Sequence, residues 1–231
     1  MGVKKAKPYP KKNEFSGESA FERVKAWAAE NTRAVAAIVT LVVLAAVIGS
    51  AIAFRMHSNQ LRAQAEYAAI ASTLPGEGGD NAAGWNKAIV ELRKFISRNA
   101  NTAPALDART ELAKGYFETK DYAGAVKAFQ EALGAAPRES SLRFAILYQL
   151  GYACEAAGKT DEALKAWSEL KKLGVPALDR EVYWNLGRIY QDKKQWDKAD
   201  QMLALASRAP GEYPSGPRLT SRLAVLKGMK K

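Results

Sequence analysis

The sequence predicts an all-α protein in which a single N-terminal transmembrane helix precedes an α-helical solenoid. Three observations support this prediction. Residues 34–54 form a run of 21 residues without a charged side chain. After that run, apolar residues recur at helical spacing and show no strand-like alternation. A pattern of small and large apolar residues also repeats at intervals of about 34 residues.

The uncharged run is predicted to be an anchor rather than a cleaved signal peptide. At about 1.5 Å per residue, a helix over residues 34–54 spans the ~30 Å hydrocarbon core of a bilayer. Ala51 and Ala53 fit the small-x-small cleavage pattern, which leaves cleavage after Ala53 as the alternative. Against cleavage, the run is longer than a usual signal core and 33 residues precede it.

The charge before the run predicts the orientation of the chain. Residues 1–33 carry eight Lys or Arg against four Glu, in a chain of net charge +11. Because positive residues mark the cytoplasmic side of a span, residues 1–33 are predicted to be a cytoplasmic basic tail with a short juxtamembrane helix. The tail can also contact membrane lipids. Nucleic-acid binding is the less favoured use of this charge, and we expect no nucleic-acid partner.

Local signals predict a helix on each side of the span. The tail, residues 1–17, is expected to be disordered. A Ser-x-x-Glu capping box at residues 19–22 then starts a short helix. Beyond the span, helices are predicted over 58–74 and 85–97. The Gly-rich segment between them, 75–81, lacks the ending of a phosphate-binding loop and is interpreted as a connector.

Three repeats in phase predict a tetratricopeptide-repeat (TPR) fold for the rest of the 55–231 domain. Each repeat has a bulky, a small and a second bulky residue in its first helix, and an Ala–bulky–Ala pattern in its second. The first match is Leu112, Ala113, Tyr116, Ala125, Phe129, Ala132 and Pro137. The second is Leu150, Gly151, Cys154, Ala163, Trp167, Leu170 and Pro176. The third is Leu186, Gly187, Tyr190, Ala199, Leu203, Ala206 and Pro210.

The TPR-like α-solenoid has a predicted core and two predicted ends. The small residues Ala113, Gly151 and Gly187 are expected where paired helices cross closely. Larger residues fill the core beside them; they are Tyr116, Phe129, Trp167 and Tyr190. Residues 58–74 and 85–97 are interpreted as a degenerate first repeat. Residues 217–229 are interpreted as a helix that caps the last open face.

The first helix of each repeat is expected to line the concave side, where protein partners bind. Side chains three and four positions apart share that face. The predicted partner-binding residues are Lys114, Phe117, Tyr148, Tyr152, Trp184, Arg188 and Gln191. Aromatic side chains interleaved with Lys and Arg suit extended peptides or a partner helix. The alternative is that Tyr148 and Trp184 only pack against neighbouring repeats.

Few residues could carry out catalysis or bind a metal ion. Cys154 is the only cysteine and His57 the only histidine. A single cysteine cannot form an intramolecular disulfide. Neither a thiolate metal cluster nor a Ser-His-Asp triad is expected. Several carboxylates are expected at helix starts, where they cap amides. They are Asp121, Asp161, Glu162 and Asp192. We therefore predict no enzyme activity, no cofactor and no metal site.

The segment before the span carries the most specific motif. Val24-Lys25-Ala26-Trp27 is followed by Ala29-Glu30-Asn31 and Arg33. Together with the single span and the TPR domain, this motif resembles the YfgM-like family of membrane-anchored TPR proteins associated with the SecYEG translocon. The resemblance covers about residues 19–229. The lysine-rich extension, 1–18, departs from the family pattern.

The resemblance implies a location and a set of partners. It implies a single-pass protein of the bacterial inner membrane, with a cytoplasmic N-terminus and a periplasmic TPR domain. Such a protein would be an ancillary translocon subunit that works with a PpiD-like membrane-anchored chaperone on secreted chains and binds their unfolded or extended segments. The alternative is a TPR scaffold for another envelope assembly, such as pilus, secretion or cell-wall machinery.

Overall fold

The computed structural model describes residues 20–76 and 81–229, and every regular element in these ranges is helical. The α-helices are α1 (Ala20–Glu30), α2 (Thr32–Ala71), α3 (Ala82–Asn99), α4 (Ala103–Glu118), α5 (Tyr122–Ala135), α6 (Ser141–Ala156), α7 (Thr160–Leu173), α8 (Asp179–Asp192), α9 (Trp196–Arg208) and α10 (Gly216–Met229). A 3₁₀ helix covers Pro176–Leu178. The all-α prediction is confirmed. The predicted tail 1–17, Ser19 of the capping box and residues 77–80 of the predicted connector lie outside the described residues.

The chain divides into two compact units, residues 1–57 and 58–231. In the first unit, the described residues form α1 and the beginning of α2. Only Asn31 separates α1 from α2, and its backbone carbonyl accepts a hydrogen bond from the amide of Val35 in α2. The uncharged stretch of α2 exposes large apolar side chains such as Leu41 and Phe54. Among the described residues, α2 is the one helix long and apolar enough to cross a membrane.

In the second unit, antiparallel helix pairs form a TPR-like solenoid, as predicted. α4 packs on α5, α6 on α7 and α8 on α9, and each pair packs on the next. Residues 58–71 of α2 and all of α3 form the layer before them. There the Tyr67 and Phe95 rings lie 5.8 Å apart, and Asn99 Nδ2 donates to Glu66 Oε2 at 3.1 Å. The predicted helices 58–74 and 85–97 are therefore present, with ends displaced by a few residues.

Glycines allow the paired helices to cross closely, as the repeat pattern predicts. A Cβ atom on Gly151 of α6 would lie 2.5 Å from Cε2 of Trp167 on α7. A Cβ atom on Gly187 of α8 would lie 2.7 Å from Cδ2 of Leu203 on α9. The large residue of the second helix therefore fills the volume that a side chain on the first helix would need.

The turns inside the three repeats share one backbone feature. Lys120, Gly158 and Lys194 each follow a first helix and adopt positive φ angles of 63°, 72° and 58°. The left-handed residue ends the first helix and directs the chain into the second.

Two of the carboxylates that were predicted at helix starts have different outcomes. Asp192 is the last residue of α8, so its predicted position at a helix start is wrong. Asp121 does cap α5, since its side chain accepts from the Gly124 amide at 2.9 Å.

The core of the second unit lies between the two helix layers. Phe129 and Trp167 are buried at its centre, while Tyr116 and Tyr190 are partly buried around it. Cys154 is also buried there as a free thiol, and burial raises its pKa to about 11.

Helix α10 packs on the last helix pair of the solenoid. Its buried side chains Leu219 and Leu226 join a cluster with Trp184 of α8 and Leu203 of α9. Without α10, these apolar residues of the last pair would face solvent.

Candidate partner-binding surface

An aromatic cluster joins the two helices of the second repeat. Tyr148 and Tyr152 are four residues apart on α6, so their rings share one face of the helix. Their ring centroids are 5.2 Å apart. Trp167 of α7 meets both rings nearly at right angles, with centroid distances of 5.8 Å to Tyr148 and 5.0 Å to Tyr152. This edge-to-face packing fixes the orientation of both phenols.

Both phenols donate hydrogen bonds to one carboxylate on the next repeat. Glu181 Oε1 of α8 accepts from the Tyr148 hydroxyl at 3.0 Å and also from the Tyr152 hydroxyl. Asn185 Nδ2 donates to the Tyr152 hydroxyl at 3.4 Å. These hydrogen bonds join the first helices of two adjacent repeats.

A second set of polar contacts joins the same helices. Glu155 of α6 accepts from Trp167 Nε1 at 2.8 Å through Oε1, and its Oε2 pairs with Arg188 of α8. Arg188 remains partly exposed. Arg188 Nη2 also donates to Asn185 Oδ1 at 3.4 Å, so the predicted residues Tyr148, Tyr152 and Arg188 belong to one hydrogen-bonded network.

The environment raises the pKa of both phenols, so they stay protonated well above neutral pH. Burial, with the negative charge of Glu181 as the next cause, raises the pKa of Tyr148 to about 12. Burial and the hydrogen bond to Glu181 raise the pKa of Tyr152 as well. Both residues therefore act as neutral donors.

We expect Glu181→Gln to lower the pKa of Tyr148 from about 12, while burial still holds it above the ordinary value. The folded pKa of Tyr148 exceeds the unfolded value, so its stability contribution is complete below pH 10 and is lost as the pH rises towards 12. Tyrosinate absorbance during an alkaline titration measures this pKa, with Tyr148→Phe identifying the signal. Glu139→Gln, at an exposed carboxylate, is the matched control. An unchanged Tyr148 titration in Glu181→Gln would contradict the assigned cause.

Four of the seven predicted residues line a cavity of about 590 Å³ that we call the apolar cavity. They are Lys114, Phe117, Tyr148 and Tyr152. The remaining wall is mainly apolar and includes Phe129, Phe144 and Leu178. This cavity lies between the first helices of the first and second repeats, and its size suits a large side chain.

The other three predicted residues line a neighbouring cavity of about 1000 Å³ that we call the arginine cavity. They are Trp184, Arg188 and Gln191. Tyr152 borders both cavities. Helix α10 supplies the far wall, including Arg218, Arg222 and Met229. We call the combined lining of the two cavities, which includes all seven predicted residues, the concave strip.

Two of these residues have structural contacts of their own. Trp184 is only 5% exposed, and the Arg222 guanidinium lies over its ring at 5.7 Å. Gln191 is also buried, and its Oε1 accepts from Arg222 Nε at 2.7 Å. Trp184 therefore fits the alternative interpretation, in which its side chain packs between helices. Partner binding by the seven residues stays a prediction.

Sequence reasoning missed Glu181, Asn185, Arg218 and Arg222. The first two lie on the same face of α8 as Arg188, at helical spacing, so the repeat pattern could have included them. The two arginines lie on α10, which the repeat pattern treats only as a cap. Within the described ranges, His, Cys, Asp and Glu form no group of three or more that could hold a metal ion.

Comparisons with known proteins agree with this fold. Residues 106–139 match the tetratricopeptide repeat family, and this match covers α4 and α5. No curated protein matches the chain at a significant level.

Solved structures with the same fold include two forms of MamA. MamA from Desulfovibrio magneticus RS-1 is 17% identical, with 66% of this chain and 86% of that chain covered and a TM-score of 0.52. MamA from AMB-1 is 14% identical, with coverages of 77% and 83% and a TM-score of 0.53. A protein of nearly identical TPR-like repeats from Podosopora anserina is 18% identical, with coverages of 71% and 85% and a TM-score of 0.53. These structural matches show a shared fold.

Proposed function

We propose that this chain is a membrane-anchored interaction protein whose concave strip binds segments of partner proteins. The observation that carries the proposal is the pair of adjoining cavities that share Tyr152, one apolar and one lined by arginines. Aromatic and arginine side chains are the residue types that contribute most to protein–protein binding. The hydrogen bonds that hold Tyr148 and Tyr152 limit the side-chain entropy lost when a partner binds.

The proposed anchor is residues 34–54 of α2. Their side chains are largely exposed and uncharged, and their backbone groups are satisfied within the helix, as lipid requires. The eight Lys or Arg of residues 1–33 support a cytoplasmic N-terminus. In this orientation the repeats lie on the opposite side of the membrane.

The narrower proposal is an ancillary SecYEG subunit that assists a PpiD-like chaperone in the periplasm. The resemblance of residues 24–33 to the YfgM-like family supports it. The competing proposal is a scaffold for another envelope assembly. The two differ in the proteins that must lie beside the concave strip, so a crosslinking experiment separates them.

The experiment places a photo-crosslinking amino acid at Phe117 or Arg218 of the full-length protein in bacterial membranes. Both positions border the cavities, and neither side chain takes part in the hydrogen bonds among Tyr148, Tyr152 and Glu181. Lys127, exposed on the second helix of the first repeat, is the matched control position. Trp184 is left intact, because truncation of this buried side chain would also destabilise the fold. Crosslinked partners are identified by mass spectrometry after a mild-detergent pull-down.

Crosslinks from Phe117 and Arg218 to Sec subunits, a membrane-anchored chaperone or a secreted chain, absent at Lys127, would support the translocon proposal. Crosslinks to the components of another envelope complex would favour the scaffold. Equal yields at all three positions would contradict binding at the concave strip.

A further inference from the structure

The two cavities of the concave strip differ in charge. Three guanidinium groups border the arginine cavity, from Arg188, Arg218 and Arg222, against the single carboxylate of Asp192. Lys114 and Glu118 balance one another in the apolar cavity, where the other ionisable lining groups are the neutral phenols. The positive charge is therefore concentrated at one end of the strip.

The three arginines are not equally neutralised within the protein. Arg188 pairs with Glu155, and Arg222 Nη2 lies 3.7 Å from Asp192 Oδ1. Arg218 is exposed and lies over the Tyr213 ring at 5.9 Å, with Nη1 3.4 Å from the Tyr213 hydroxyl. Within the described part of the chain, Arg218 pairs with no carboxylate. Its guanidinium can therefore receive one from a partner.

The spacing of the cavities limits the kind of segment that fills both. Tyr152 borders both cavities, so a single extended segment can place one side chain in each. Three residues of an extended chain reach about 10 Å, which is enough to pass one tyrosine side chain. A bound segment would therefore carry its apolar side chain and its carboxylate at roughly this separation.

From these observations we infer that the concave strip recognises an acidic–apolar segment of a partner protein. A large apolar side chain enters the apolar cavity, and an Asp or Glu about three residues away pairs with Arg218 at the mouth of the arginine cavity. This inference rests on the proposed function and adds the chemical class of the partner.

A basic segment fits the strip poorly, since it would place a further positive charge beside three arginines. A nucleic acid would satisfy the arginines, but in the apolar cavity its phosphates would meet mainly apolar side chains, with the one ammonium of Lys114 offset by the carboxylate of Glu118. The observations therefore favour a protein segment, and a nucleic acid is tested as a competitor.

The test uses fluorescence anisotropy with the full-length protein in detergent micelles. The probe is a short labelled peptide of Gly, Ser and Asn that carries one Phe and, about three residues later, two Asp. Comparison peptides replace Phe by Ala, or both Asp by Asn or by Lys. The protein variants are Arg218→Gln and the matched control Arg208→Gln, an exposed arginine outside both cavities.

We expect the Phe–Asp peptide to bind at least about tenfold more tightly than the Asn, Lys or Ala peptides. Arg218→Gln should weaken it by about three- to tenfold, since an exposed charge pair contributes modestly, whereas Arg208→Gln should not. Added salt should weaken binding to the wild-type protein.

Equal binding of the Asp, Asn and Lys peptides would overturn the inference while leaving concave-strip binding, and hence the proposed function, intact. Failure of all peptides to bind would also overturn it, and crosslinking from Phe117 would then decide the proposed function separately. Binding of an oligothymidine that displaces the peptide equally from wild-type and Arg218→Gln protein would overturn it too.

Discussion

Leu226→Ala should lower the free energy of unfolding by about 2–5 kcal/mol, the range for removing a buried Leu side chain. Leu226 is 0% exposed and belongs to the cluster in which α10 covers Trp184 and Leu203. The shortened side chain would leave a void where α10 packs on α8 and α9. Urea unfolding of the full-length protein, followed by circular dichroism, measures the change.

Val225→Ala is the matched control for this prediction. Val225 is the preceding residue on α10, is 50% exposed and should change the free energy of unfolding by less than about 0.5 kcal/mol. Equal effects of the two substitutions would show that α10 contributes little packing energy. In that case the arginine cavity would lack a fixed outer wall.

Gly151→Ala should destabilise the protein by about 1–3 kcal/mol, although alanine is the better helix former. The added methyl carbon would lie 2.5 Å from Cε2 of Trp167, whose ring is fully buried and is also held by Glu155. The ring or the helix must move to relieve this contact. Because Tyr148 and Tyr152 pack on the same ring, the substitution should also disturb the apolar cavity.

Gly134→Ala is a control for which we expect the opposite change in stability. Gly134 lies in α5, and a methyl group added there would meet no neighbouring atom within 4 Å, so only helix propensity should act. We expect it to stabilise the protein by up to about 1 kcal/mol. If thermal unfolding shows the same sign for both substitutions, the close crossing at Gly151 does not limit stability.

The sequence predicts the repeats well because their physical determinants are local. The Gly151–Trp167 and Gly187–Leu203 pairs each combine a small and a large residue at a fixed offset, and the structure places them in contact. The error at Asp192 arises because the repeat pattern does not specify where a helix ends. That end depends on the left-handed residue Lys194, a conformation that a lysine does not signal.

The candidate site is only partly predictable, because it depends on contacts between elements far apart in the chain. Helical spacing identifies one face of α6 and one face of α8. It does not show that Glu181 accepts from two tyrosines, or that Arg222 of α10 covers Trp184. These contacts follow from the angle at which successive layers pack, which a single sequence does not specify.

The single thiol of Cys154 can be used to detect when helices α6 and α7 move apart. Thiolate is the reactive form, and this thiol is 1% exposed with a pKa of about 11, so alkylating reagents reach it only when α6 and α7 move apart. Its rate of modification would therefore follow the opening of the second repeat in the intact protein. A second cysteine introduced on the exposed surface would react much faster, so dyes could be attached there selectively without removing the native residue.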